Sequence, residues 1–159
     1  MATIHPFTAI LFRPGSGDDV TTFVAPPYDV IKPPDRERLK DRSPCNIVWL
    51  TLPEAEPGGD PYSVAAKMFD QWRQTGILRT EPSPAFFLWE QEFSHDGQTF
   101  IRRALVAKVT SGPYRPGEVM RHEHTHKGPK EDRLRLYQAT GAQFSQMFGI
   151  FRDDEGEVR

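Results

Sequence analysis

Apolar and polar positions along the chain fall into blocks whose period changes several times. Residues 4–12 (IHPFTAILF) and 20–25 (VTTFVA) are rich in β-branched and aromatic side chains and predict two short strands, separated by the loop PGSGDD. Pro26 and Pro27 halt the second strand, and Pro33 and Pro34 follow, so PPYDVI is held extended on both sides of Tyr28 and Asp29. Residues 34–41 (PDRERLKD) fit a short polar helix with proline near its start. Residues 46–52 (NIVWLTL) are an apolar run that reads as a buried strand. After the loop PEAEPGGD, Asp60 caps a helix with Pro61 at its first position. That helix runs to about Thr75, where Gly76 is a stop signal. Val64, Met68 and Trp72 recur every four residues with Ala65 and Phe69 beside them, which gives one stripe facing a core.

Residues 85–93 (AFFLWEQEF) and 98–109 (QTFIRRALVAKV) flank His95-Asp96-Gly97, and Asp-Gly between two β-prone runs predicts a hairpin. Leu88, Glu90 and Glu92 alternate with Trp89, Gln91 and Phe93, as in a sheet with one wet face. Residues 118–121 (EVMR) are a candidate short strand, and 129–140 a helix anchored by Leu134 and Tyr137. Residues 147–152 (MFGIFR) read as a strand, and DDEGEVR after them as the turn of a hairpin whose second strand does not follow. Hairpins mixed with separate helices predict one α+β domain over residues 1–159, with a mixed, largely antiparallel sheet and packed helices.

Composition narrows the setting. A chain of 159 residues can bury a real core. Its formal net charge of −2 creates no field that draws nucleic acid or an anionic membrane. No apolar stretch approaches the ~20 residues of a membrane helix, and MATIHPFTAILFRPG lacks the pattern of a signal peptide. The single cysteine, Cys45, cannot form a disulfide within the chain, which fits a cytoplasmic protein. The many prolines sit mostly between elements, so the loops are expected to be rigid.

Candidate chemistry concentrates in RHEHTHKGPKEDRLRLYQATGAQ, residues 121–143. His122, His124 and His126 would share one face of an extended segment. There is no His-x-x-Glu-His order and no cysteine pair, so the pattern for a metal is weak and no metal ligand is assigned. Gly128-Pro129 can open a helix and place Lys130 and Arg133 in its first turn or so, where free N–H groups and the positive end of the dipole favour a phosphate. Glu131 and Asp132 offset that charge, and the alternative is a solvated helix in which Glu131 or Asp132 pairs with Arg135. Tyr28 and Asp29, fixed by prolines, suit either a ligand site or a plain turn in which Asp29 bonds the backbone. Cys45, Trp49 and Trp89 read as packing, and Arg102 and Arg103 fall on opposite faces of one strand. No Ser-His-Asp motif, Walker loop or dinucleotide fingerprint is present.

In order along the chain, VAPPYDVI, DPYSVAAKMFDQW, FFLWEQEF with DGQTFIRRALVAKV, HEHTHKGPKEDRLRL and ATGAQFSQMFGIF resemble the bacterial and archaeal family catalogued as domain of unknown function 1015. The most specific part is His122-Glu123-x-Thr125 followed by Gly128-Pro129-Lys130-x-Asp132-Arg133. His124 and His126 stand where the family pattern has an arginine and an apolar residue, which counts against a three-histidine metal site. The resemblance implies a longer protein, of which these residues are the N-terminal part. The later part carries an Asp-Gly-His-His-Arg stretch like the phosphate signature of the ParB/sulfiredoxin-like fold. It further implies an incomplete nucleotide-binding fold of that kind, using ATP or ADP with Mg²⁺, and a small hydroxyl substrate such as free serine. Fold-level analogy of this sort does not fix function. On it, Glu123 or Asp132 would take a proton or hold Mg²⁺, and His122 would orient substrate. Lys130 and Arg133 would offset phosphoryl charge, with Tyr28, Asp29 and Thr125 around the nucleotide. The alternative is a nucleotide-binding regulatory module without transfer. Residues 1–159 alone are expected to be nearly inactive.

Overall fold

The computed structural model describes residues 2–15, 17–113, 119–120 and 127–151. The chain divides into two compact units, Met1–Asp19 with Asp70–Lys130, and Val20–Phe69 with Glu131–Arg159. The class is α+β, and every strand pair among the described residues is antiparallel.

The first unit holds the strands: β1 (Ile4–His5), β2 (Ile10–Phe12), β3 (Leu78–Thr80), β4 (Phe87–His95), β5 (Gln98–Val106) and β6 (Lys108–Val109). They pair as β1–β6, β2–β3 and β4–β5. The run 4–12 is therefore two strands rather than one. Pro6, which has no N–H to give a ladder, lies between them, and a single bridge joins Phe7 to Ala85. β3 was not foreseen, because three residues carry too little pattern. It pairs from Ile10↔Thr80 to Phe12↔Leu78.

The hairpin forms as expected, with unbroken register from Phe87↔Val106 to His95↔Gln98. Asp96 (φ 50°) and Gly97 (φ 75°) both have positive φ, as a type I′ turn requires. The single wet face does not hold, since Leu88 on one face is 72% exposed and Trp89 on the other 45%. Side chains cover one another instead: Phe93 stacks on Phe100 at 5.6 Å, and the Arg102 guanidinium lies 5.5 Å from the Trp89 ring.

The second unit is helical: α1 (Pro33–Arg42), α2 (Val48–Thr51), and the larger parts of α3 (Pro61–Gln74) and α4 (Lys127–Thr140). α3 starts as the sequence dictates. Asp60 Oδ2 accepts hydrogen bonds from the Ser63 N–H at 3.0 Å and the Ser63 hydroxyl at 2.7 Å. Its buried stripe is narrower than the periodicity suggests. Ala65, Phe69 and Trp72 are buried, Met68 is half-buried and Val64 is 37% exposed. Phe69 packs edge-on to Phe144 at 5.4 Å in the second unit, and Trp72 meets Phe12 of β2 at 5.9 Å in the first.

Two predicted strands are helical turns, and one mechanism accounts for both. Residues 46–52 are buried as expected, but Val48–Thr51 is a helix. Residues 20–25 contain a 3-10 turn at Val20–Thr22. The Asn46 side chain joins the two segments. Its Nδ2 donates to the carbonyls of Thr22 (2.7 Å) and Val24 (2.9 Å), and its Oδ1 accepts the Val48 N–H (2.9 Å). The Ile47 N–H goes to the Phe23 carbonyl at 2.7 Å. The backbone of 20–25 is thus taken up by a capped turn, not by a ladder. A short apolar run leaves helix and strand undecided, and here one buried amide decides.

α4 begins two residues before the predicted start and faces inward differently. Leu136 is 2% exposed, whereas Leu134 and Tyr137 are half in solvent. Residues 147–151 take no regular structure, and no described strand pairs with them. An extended run becomes a strand only when a neighbour takes its backbone groups. Val119 and Met120 are likewise irregular, and residues 118, 121 and 152 lie outside the described residues. No described helix is long and apolar enough to cross a membrane.

Candidate functional site

Local sequence sets the first wall of the site. Pro27 is extended (φ −50°, ψ 137°), the chain then turns through Tyr28–Val30, and the Val30 N–H closes that turn on the Pro27 carbonyl at 3.1 Å. Backbone, not the Asp29 carboxylate, closes the turn. Asp29 is exposed and Tyr28 half-buried.

Arg133 is the centre. It stands in the second turn of α4, because the helix starts at Lys127, so it is not beside the free N–H groups that the phosphate reading invoked. Its guanidinium lies over the Tyr28 ring, 4.1 Å from the centroid. Nη2 donates to the Thr51 carbonyl, the last residue of α2, at 2.7 Å, and Nε donates to Asp132 Oδ2 at 2.8 Å. Asp132 Oδ1 in turn accepts the Tyr62 hydroxyl at 2.7 Å. The Asp132 carboxylate, by holding that proton, pushes the Tyr62 phenol above its ordinary value, and burial adds to the effect. Arg135 does not pair with Asp132. It lies over the Tyr62 ring at 4.4 Å and reaches Asp60 at 3.5 Å.

Beside this cluster is a cavity of about 270 Å³, lined by Ile31, Arg36, Leu52, Tyr62, Asp132 and Arg133 among others. Arg36, on α1, gives Nη1 to Glu54 and Nη2 to the Leu52 carbonyl. Glu54 also accepts from Lys40, and that hydrogen bond, against the opposing effect of burial and with the help of Arg36, holds its carboxyl below the usual range. Two donors lack an acceptor among the described residues: Arg36 Nε and Arg133 Nη1, both shielded from solvent. A wider hollow of about 460 Å³ in the first unit is lined by Arg13, Asp70, Arg73 and Arg79. Those four side chains are exposed, so water already solvates them and the smaller cavity is the better-formed site.

The residues singled out by sequence divide three ways. Tyr28, Asp132 and Arg133 come together. Asp29 adjoins Tyr28 in the chain but is exposed, and Lys130 is exposed in the first unit. His122, Glu123 and Thr125 lie outside the described residues, as do His124 and His126. Arg36, Thr51, Asp60 and Tyr62 were missed. A signal existed for Arg36: it precedes Leu39, the buried residue of α1, by three positions and so shares its face. Of the two carboxylates that the resemblance offers to Mg²⁺, Asp132 is described and Glu123 lies outside the described residues. The described residues contain no group of three His, Cys, Asp or Glu able to hold a metal, and Asp132 is already taken by Arg133 and Tyr62.

Residues 4–159 match the family model described as "Protein of unknown function (DUF1015)", and the chain belongs to that family. No curated protein and no solved structure matches it.

Proposed function

We propose that this DUF1015 family member is a nucleotide-dependent phosphotransferase acting on a small hydroxyl substrate, with free serine as the first candidate. One observation carries the reading. Arg133 is fixed by an aromatic face, a carbonyl and a carboxylate, yet its buried Nη1 has no partner among the described residues. A cation held in place before the reaction stabilises developing phosphoryl charge without reorganising at the moment of transfer. Transfer would form a bond from the substrate oxygen to phosphorus and break the bond to the nucleotide's leaving oxygen. The hydroxyl proton would pass to Asp132 or Glu123. The resemblance supplies the remaining roles: His122 orienting substrate, Lys130 offsetting charge, and Tyr28, Asp29 and Thr125 about the nucleotide. The ParB/sulfiredoxin-like relationship and a cytoplasmic site of action belong to the same reading.

A regulatory, non-catalytic nucleotide-binding module is the second reading, and a specific feature favours it. Both Asp132 oxygens are occupied, by Tyr62 and by Arg133, which leaves a poor proton acceptor. The family's full-length protein, incubated with ATP or ADP, Mg²⁺ and serine, is expected to yield phosphoserine, and Arg133→Ala to abolish it. Saturable nucleotide binding with no product across a panel of small hydroxyl compounds would establish the regulator instead.

A further inference from the structure

We infer that the cavity between Arg36 and Arg133 binds a compact oxyanion, the carboxylate or phosphate group of a small molecule, and that Arg36 is a binding residue for it. The inference deepens the phosphotransfer reading, on which it rests for the ligand's role as substrate, by naming the group that the site recognises. Charge is the first argument. Of the nine residues lining the cavity two are arginines and one, Asp132, is a carboxylate, so the wall favours an anion over a cation. Hydrogen bonding is the second. Arg36 spends Nη1 and Nη2 on Glu54 and Leu52, and Arg133 spends Nε and Nη2 on Asp132 and Thr51. Each keeps one shielded donor idle, Arg36 Nε and Arg133 Nη1. Buried donors without acceptors are uncommon in folded proteins, and these two belong to two residues that line one cavity.

Size and preorganisation restrict the ligand further. A volume of about 270 Å³ would hold roughly nine waters at about 30 Å³ each. It lies just under the ~300–1,000 Å³ typical of sites for drug-sized ligands. A small acid is therefore a good match. Ile31 and Leu52 in the same wall give an aliphatic stub an apolar surface. Both guanidinium groups are already immobilised, so binding costs little side-chain entropy.

Titration calorimetry of the whole chain with inorganic phosphate and with propionate, against chloride at matched ionic strength, tests this directly. Saturable binding of at least one is expected, and which one binds identifies the source of the oxyanion. Arg36→Gln should weaken it at least about tenfold. Arg36→Lys keeps the charge but not the Nε–H, and should lose a smaller part. Arg102→Gln, outside the cavity, should change nothing. In the unmodified protein the NMR signal of the Arg36 Nε–H should move on saturation, a readout that survives if the variants fail to fold. Absence of saturable binding, or binding that leaves that signal unmoved, overturns the inference. The two readings fail separately. Oxyanion binding that depends on Arg36, in a full-length protein that transfers no phosphoryl group, sinks the phosphotransferase alone. Transfer whose KM for the hydroxyl substrate is unchanged in Arg36→Lys sinks the oxyanion site alone.

Discussion

Replacing Asn46 with alanine should cost more stability than any other polar substitution in the second unit. Asn46 is fully buried and makes three hydrogen bonds, to the Thr22 and Val24 carbonyls and from the Val48 N–H. Truncation strands all three, at about 1–3 kcal/mol for each buried group left unpaired. Val48 is itself fully buried and bears the full penalty, whereas Val24 is 57% exposed and its carbonyl can recover water. The sum is then about 3–5 kcal/mol, a large fraction of the ~5–15 kcal/mol that holds a domain folded. Urea unfolding measures it, with an unchanged m-value showing that the loss lies in the native state. Asn46→Asp sharpens the test. An aspartate can still accept from Val48 but cannot donate to either carbonyl, so it should be destabilised comparably. A loss below about 1 kcal/mol for Asn46→Ala would refute the claim that this amide joins residues 20–25 to α2.

Three further outcomes follow from the same geometry. Asp132→Asn removes the charge that holds the Tyr62 proton, so the phenol should titrate closer to its ordinary value, read by NMR of ring-labelled tyrosine. Glu54 and Asp60 both have carboxyls lowered in the folded state, chiefly by hydrogen bonds from Lys40 and Ser63 respectively. Their stabilising contribution is present above the ordinary carboxylate range and is lost as pH falls through and below about 4. Acid unfolding of Glu54→Gln should accordingly show a shallower pH dependence than the parent. Trp72→Ala, at a site 4% exposed against Phe12, should lower stability by about 3–5 kcal/mol, and a loss under about 1 kcal/mol would remove that residue from the core of the first unit.

What the sequence made legible is what neighbours in the chain decide. The Asp-Gly turn, the Asp60-Pro61 start and the Gly76 stop each place a backbone conformation within a few residues, and all three hold. The errors are of another kind. Strand or helix at 46–52 depends on an amide reaching residues more than twenty positions away, and Leu134 lost its anchoring role to Leu136 because the inner face of α4 is set by what packs on it. Apolar spacing fixes a period, but its phase comes from the rest of the fold.

The candidate site divides along the same line. Residue type and rigidity pointed to Tyr28 and Arg133 separately, since prolines fix one and a helix carries the other. No local rule joins them. The contacts that make Arg133 distinctive run to Thr51, 82 residues away in sequence, and those that occupy Asp132 run to Tyr62, 70 residues away. Asp132 with Arg135 was an obvious sequence-near pair at helical spacing, and Arg135 goes to Asp60 instead. A helix-surface ion pair is worth only a few tenths of a kcal/mol, so any better-placed partner from another element displaces it. Arg36 shows the same logic from the other side. It stands on a short polar helix, yet its place three residues before Leu39 brings it inward, where Glu54 and a carbonyl receive it. A charged side chain on the buried face of an otherwise polar helix is therefore a sharper pointer to a site than a cluster of charges on an open one, because it stays inside only when something there holds it.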